Sequence, residues 1–178
     1  MLRIRQCFFL AILTLLSGCT GIPEGVEAVD GFELDRYLGT WYEVARLDHR
    51  FERGLTSVTA TYSLRDDGGV QVVNRGYDES KTEWKEAVGK AYFVDDPQVG
   101  RLKVSFFGPF YGGYNIVELD KADYSYALVA GPKRSYLWIL ARSPDLDAEI
   151  VDRLVRRAES LGFATDELIY VEHADSGS

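Results

Sequence analysis

The chain has 178 residues, 46% of them hydrophobic, and a formal net charge of −8 at pH 7. This length suits one globular domain behind an N-terminal leader. The acidic balance excludes proteins that bind nucleic acid or anionic lipid surfaces through basic patches. The two cysteines, Cys7 and Cys19, both lie near the N-terminus, so we expect no disulfide in the folded domain.

Residues 1–18 have the pattern of a cleaved leader. Arg3 and Arg5 form a basic start, and residues 7–16 form an apolar run. That run is shorter than the roughly 20 residues that span a bilayer. The ending Leu-Ser-Gly before Cys19 resembles a bacterial lipobox, which implies cleavage before Cys19 and lipidation of this residue. An ordinary signal peptide with an incidental cysteine is the alternative.

Residues 19–31 are predicted to be the lipidated cysteine and a flexible tether, because Gly21, Pro23 and Gly25 interrupt regular structure. Thr20 stands where the usual inner-membrane retention signal has Asp, so we expect the outer membrane, with the domain facing the periplasm. No stretch is typical of a basic groove or of an amphipathic membrane helix. Membrane association is therefore expected through the anchor alone.

Alternating hydrophobic residues and turn signals predict eight strands. In the first strand, which Gly39 opens with a close turn, alternation places Trp41, Glu43 and Ala45 on one face. Glu43 facing an interior requires a partner, so we expect a buried salt bridge there. Short connections between successive strands favour an up-and-down meander. The other predicted strands are 57–64, 70–77, 84–94, 101–107, 114–120, 126–131 and 135–142.

The period then changes from strand to helix. Ser143 is the expected N-cap with Pro144 at the first helical position, and Gly162 is expected to end the helix. Residues 146, 150, 154, 158 and 161 form one apolar stripe that should pack on the outside of the sheet. A short final strand is predicted at 168–171, so that the domain spans residues 32–172. The tail 173–178 is expected to be disordered.

Two motifs resemble hallmarks of the lipocalin family: Gly39-Thr40-Trp41-Tyr42 and Arg142-Ser143-Pro144. A third is partial, because Leu119 stands before Asp120 where the family often has Thr. Runs such as residues 42–54 and 106–115 are similar to the bacterial outer-membrane lipoprotein branch. The resemblance implies an all-β fold, an eight-stranded antiparallel up-and-down β-barrel with one C-terminal helix packed outside. In such a barrel, Arg142 over the indole of Trp41 would close one end by cation–π attraction.

The side chains that face the interior are the candidate ligand site. If Arg142 points inward to Trp41, then Leu140, Trp138 and Tyr136 share its face. An aromatic, mostly apolar interior suits an acyl chain better than a sugar or nucleotide. The remaining predicted ligand-binding residues are Ala45, Val104, Phe106, Tyr114 and Asn74.

The resemblance implies an envelope protein that binds, stores or transports a fatty acid or lysophospholipid, in envelope maintenance or stress. We expect no catalytic residues, no cofactor and no metal, because the sequence has only His49 and His173 to build such sites. Two alternatives remain: a lipid-modifying enzyme on the same scaffold, and an interaction protein that uses its outer surface, for example as a homodimer.

Overall fold

The computed structural model describes residues 20–174. Eight antiparallel strands follow one another around a barrel, and β1 pairs with both β8 and β2, which closes the sheet. The predicted all-β architecture is therefore confirmed. Residues 1–18, Cys19 and residues 175–178 lie outside the described part of the chain. The strands are β1 (Gly39–Arg46), β2 (Leu55–Leu64), β3 (Val70–Asp78), β4 (Glu83–Phe93), β5 (Arg101–Phe107), β6 (Phe110–Leu119), β7 (Tyr126–Ala130) and β8 (Leu137–Ala141).

The two ends of the barrel differ. A one-turn helix, α1 (Leu34–Tyr37), covers the end where β1 begins, and we call this the closed end. The opposite end, the open end, carries the connections 47–54, 79–82, 108–109 and 131–136. β6 begins at Phe110 and not at the predicted residue 114, so the fifth and sixth strands are joined by two residues.

A bulge in β1 reverses the predicted alternation. Glu43 pairs with Leu140 and Ala45 with Ile139, which leaves Val44 as an extra residue. Because one extra residue turns the following side chains to the other face, Ala45 packs outside the barrel and Arg46 points inside. The prediction that Ala45 faces the interior is wrong for this reason. Ala45 lies fully buried among residues of β7, β8 and the C-terminal helix.

That helix, α2 (Ala148–Ser160), lies against the outer face of the sheet as predicted. Its start differs from the prediction: Asp147, not Ser143, accepts hydrogen bonds from the backbone N–H groups of Glu149 and Ile150. Gly162 ends the helix as expected, with φ of +80°. The N–H groups of Gly162 and Phe163 bond back to the carbonyls of Glu159 and Ala158, which forms a Schellman motif.

The C-terminal segment forms part of the wall. β9 (Ile169–Tyr170) pairs with β1 at the point where β2 diverges from it. The predicted disordered tail is wrong for its first two residues: a ring nitrogen of His173 lies 2.8 Å from the Glu43 carbonyl, and the N–H of Ala174 bonds to the Ser57 hydroxyl.

The predicted flexible tether is also ordered over residues 20–31. The Gly21 carbonyl accepts a hydrogen bond from Asn115 Nδ2 at 3.1 Å, and Val26 is buried against the outside of the barrel. Further along, Val29 exchanges backbone hydrogen bonds with Ile116 and Gly100. This segment therefore follows the wall of the barrel from near the open end to the closed end. None of the helices in residues 20–174 is both long and apolar enough to cross a membrane.

Candidate functional site

The three residues predicted to close the barrel lie together at the closed end. Trp41 is completely buried, and the guanidinium of Arg142 lies 4.1 Å from the centre of its ring. Arg142 also donates to the backbone carbonyl of Thr40 at 3.0 Å. Gly39 has a φ of +93°, and a Cβ there would lie 3.3 Å from Arg142 Nη1. Glycine is favoured at this position by both the backbone conformation and the close approach of Arg142.

Three tyrosines form the next layer of the interior. The hydroxyl of Tyr114 lies 2.7 Å from that of Tyr37 and 2.9 Å from that of Tyr62. Burial raises the pKa of all three hydroxyls well above the ordinary value. They therefore remain neutral and satisfy one another. Tyr114 was predicted to face inward and does. No inward orientation was predicted for Tyr37 or Tyr62.

The wall above this layer is apolar and aromatic. Trp138 and Leu140 face inward from β8, and Tyr136 stacks on Trp138 with ring centres 6.1 Å apart. Val104 and Phe106 complete the apolar wall from β5. Alternation gave the correct faces along β8 because its pairing with β7 has no register shift and the extra residue in its pairing with β1 lies on β1. The pairing of β5 with β6 shifts between Val104 and Phe107, yet Val104 and Phe106 both pack against the interior core.

Asn74 adds a polar group to this wall. It alternates with Val70 and Val72, which belong to the interior core, as the sequence predicted. Its side-chain Oδ1 is buried and has no hydrogen-bond partner within residues 20–174. An unpaired buried acceptor costs free energy, so this atom is a candidate contact for a polar group of a ligand.

A charged cluster lies in the same half of the interior. Arg46 Nη1 bonds to Glu43 Oε1 at 2.8 Å, which is the buried salt bridge expected for Glu43. His49 Nε2 lies 2.9 Å from Glu52 Oε2, and the indole N–H of Trp138 donates to that same oxygen at 3.1 Å. All four charged or ionisable side chains are buried. The cluster therefore adjoins the aromatic wall directly, through Trp138.

The two carboxyl groups of this cluster are shifted in opposite directions. Burial and the nearby charge of Glu52 raise the pKa of Glu43, and these effects outweigh the attraction of Arg46. Burial also disfavours the ionised form of Glu52, but its contacts with His49 and Trp138 prevail and lower its pKa. Of the two carboxyl groups, Glu43 is therefore the more readily protonated and Glu52 the more readily ionised.

Sequence reasoning missed Arg46 and Glu52 as interior residues. On a regular strand, residues three apart lie on opposite faces, so Glu43 and Arg46 could not be expected to meet. The bulge at Val44 brings them together. His49 lies in the connection 47–54, and its burial beside Tyr136 and Trp138 depends on how that loop folds over the open end.

Two grooves lie on the outside of the barrel, beside the C-terminal segment. Their volumes are about 310 and 210 Å³, and Ser57, Trp84 and His173 line both of them. None of the predicted ligand-binding residues lines either groove. Within residues 20–174, no group of three or more His, Cys, Asp or Glu side chains is placed to hold a metal ion.

Comparison with known proteins agrees with this architecture. A family model described as "Lipocalin-like domain" matches residues 32–173. The chain belongs to the lipocalin family. Over 168 residues it is 56% identical to "Outer membrane lipoprotein Blc" of Vibrio cholerae, covering 94% of this chain and 98% of that protein. The protein of the same name from Escherichia coli K12 is 54% identical over 154 residues, 86% of each chain.

This lipocalin also resembles solved structures of low sequence identity. Insecticyanin from the tobacco hornworm Manduca sexta superposes with a TM-score of 0.70 at 20% identity, covering 88% of this chain and 89% of the other. That likeness concerns the fold. The names of the two bacterial relatives agree with the outer-membrane location and the lipoprotein branch that the sequence predicted. The ligand-binding roles of the interior residues remain predictions.

Proposed function

We propose that this lipocalin is anchored in the bacterial outer membrane by lipid on Cys19, faces the periplasm, and binds a single-chain amphiphile inside its barrel. Fatty acids and lysophospholipids are the ligand class, and envelope maintenance or stress is the setting. The protein acts as a binding or carrier protein and not as an enzyme. The observation that carries the proposal is the junction of an apolar wall and a charged cluster at Trp138.

The apolar wall fits an acyl chain. Trp138, Leu140, Val104 and Phe106 present carbon surface to the interior, and each methylene buried against such a surface contributes about 0.8 kcal/mol. Hydrophobic contact is non-directional, so the wall favours a chain by its length and cross-section and discriminates weakly between similar chains.

The charged cluster fits the polar end of the same ligand. Arg46 Nε and His49 Nδ1 are buried and make no hydrogen bond to any other group of residues 20–174. Both are nitrogen atoms of a kind that contacts a carboxylate or phosphate oxygen. A headgroup near them would satisfy polar atoms that otherwise remain unpaired, while the acyl chain packs along the wall below.

The test is native mass spectrometry of the processed lipoprotein, purified gently from bacterial envelopes, together with titration of added lysophospholipid. We expect a discrete adduct with the mass of a fatty acid or lysophospholipid. Trp138→Ala should weaken binding on the order of 10- to 100-fold, because it removes an aromatic side chain from the wall. Trp138→Phe keeps a ring but loses the N–H, so its ligand affinity should lie between those of the wild type and Trp138→Ala.

Trp84→Ala is the matched control. Trp84 lies on the outer face, in edge-to-face contact with Tyr77 and under the guanidinium of Arg75, so its loss should leave ligand affinity unchanged. Equal weakening in both variants would argue against a site inside the barrel. If the protein carries no ligand and also fails to bind added lipids, the result would favour the alternative of an interaction protein that uses its outer surface.

A further inference from the structure

The most exposed large apolar side chains lie together at one hairpin. Phe107 and Phe110 are 70% and 79% exposed, and they pair across the short connection between β5 and β6 at the open end. Exposed aromatic rings of this size are unfavourable in water. Two of them on one projecting hairpin therefore indicate a surface that is covered when the protein is in place.

The same region of the barrel carries the start of the described chain. Thr20, which follows the predicted lipidation site in the sequence, lies against Gly113 of β6, and a Cβ on Gly113 would collide with the carbonyl oxygen of Gly21. The hydrogen bond from Asn115 to Gly21 holds this segment in place. Gly113 and Phe110 are three residues apart on one strand, a distance of about 10 Å.

The neighbouring strand extends this apolar surface. Pairing between β4 and β5 ends at Lys90 and Ser105, although β4 continues to Glu83. In the part of β4 beyond this pairing, Val88 is 57% exposed on the outer face. We call Val88, Phe107 and Phe110 the apolar tip. Its three members lie on β4, β5 and β6.

We propose that the apolar tip inserts into the phospholipid bilayer beside the lipid anchor, so that the open end of the barrel faces the membrane. This inference rests on the lipidation of Cys19 stated in the proposed function. An anchor one residue before Thr20 holds the tip within a short distance of the bilayer, which makes even a small apolar contact effective. The sequence predicted membrane association through the anchor alone, and the apolar tip adds a second contact.

Charge explains why this contact is apolar. Removal of residues 1–18, which include two arginines and no acidic residue, changes the net charge from −8 to −10. Such a domain is repelled by anionic headgroups, so a few aromatic side chains at the interface are needed to orient it. The region beyond the last pair of β4 and β5 would then face the membrane, the source of the proposed amphiphilic ligand.

The test uses the full-length lipoprotein, processed in bacteria and reconstituted in phosphatidylethanolamine and phosphatidylglycerol vesicles with brominated acyl chains. Phe110→Trp places a fluorophore in the apolar tip. Leu64→Trp places one at an exposed site at the closed end, where Leu64 is 57% exposed. The three native tryptophans give the same background in both variants. We expect the added fluorescence to be quenched several-fold more strongly in Phe110→Trp.

Co-sedimentation with the vesicles separates the possible failures. Equal, weak quenching in both variants with full co-sedimentation would overturn the inference and leave the anchor intact. Absence of co-sedimentation would overturn both the anchor and the inference. A change of oligomeric state in Phe107→Ser/Phe110→Ser without selective quenching would assign the tip to a second copy of the chain and overturn the membrane contact. Lysophospholipid binding in Trp138→Ala is measured separately, so the ligand proposal is judged independently.

Discussion

The guanidinium of Arg142 lies 4.1 Å from the ring centre of Trp41 and joins the end of β8 to the start of β1. Its N–H groups also donate to the backbone carbonyls of Thr40 and Arg36, at 3.0 and 2.8 Å. One side chain therefore connects the first strand of the barrel, its last strand and α1. Closure of this end depends on two residues that are about a hundred positions apart in the sequence.

Arg142→Ala should consequently destabilise the fold by about 3 kcal/mol, because it removes the cation–π contact together with hydrogen bonds to the backbone carbonyls of Arg36, Thr40 and Tyr124. Urea unfolding monitored by tryptophan fluorescence measures the change. Arg156→Ala, at an exposed position of α2, is the control and should stay within about 0.5 kcal/mol of the wild type. A loss below about 1 kcal/mol in Arg142→Ala would contradict the closing role.

Glu43→Gln should weaken the pH dependence of stability. Burial raises the pKa of Glu43 in the folded state. The contribution of Glu43 to the free energy of unfolding is therefore complete below the ordinary carboxyl pKa and is lost as pH rises through the raised pKa. Gln cannot ionise. The wild type should therefore lose more stability than Glu43→Gln between pH 5 and pH 8, as measured by urea unfolding at both values.

Glu83→Gln makes the same change of charge at an exposed position and should retain the wild-type pH dependence. The pKa of Asp78, held near 2 by Lys85 and Ser80, affects stability at lower pH, outside this window. Parallel pH profiles for wild type and Glu43→Gln would show that Glu43 ionises in the folded protein as it does in the unfolded chain.

Gly113→Val should release the start of the described chain from the barrel. A side chain there meets the Gly21 carbonyl, whereas a Cβ on the neighbouring Gly112 meets nothing within 4 Å. We expect amide hydrogen exchange of residues 22–26 to accelerate at least about tenfold in Gly113→Val, equivalent to about 1.4 kcal/mol of local stability. Unchanged exchange, or the same acceleration in Gly112→Val, would show that this contact does not hold the segment.

Asp147→Ala should destabilise the protein by about 1 kcal/mol, because Asp147 caps two backbone N–H groups at the start of α2. Ser143→Ala is the informative comparison, since the sequence pattern had assigned the cap to Ser143. That hydroxyl accepts only from the N–H of Asp145, at an exposed site, so its loss should cost less than about 0.5 kcal/mol. Thermal unfolding of both variants decides between the two positions.

The strands and the interior face of β5 and β8 could be predicted because their signals are local. Asp67 and Gly68 reverse the chain between β2 and β3, and alternation from Arg142 placed Trp138 and Leu140 inside. Ala45 was assigned to the wrong face because the same rule was carried across Val44, where an extra residue interrupts the pairing with β8. The residues around Val44 give no local sequence signal for the bulge, because the bulge depends on how β1 pairs with β8.

The sequence by itself determined the barrel, its outer helix and the leader pattern, because periodicity, turn residues and motif spacing act over short stretches of chain. The tertiary structure decided the composition of the interior and the course of residues 20–31. Arg46, His49 and Glu52 meet because a bulge and a loop bring them together, and residues 20–31 lie along the wall because Asn115 and Ile116 bind them. Such contacts join distant segments, and local patterns do not encode them.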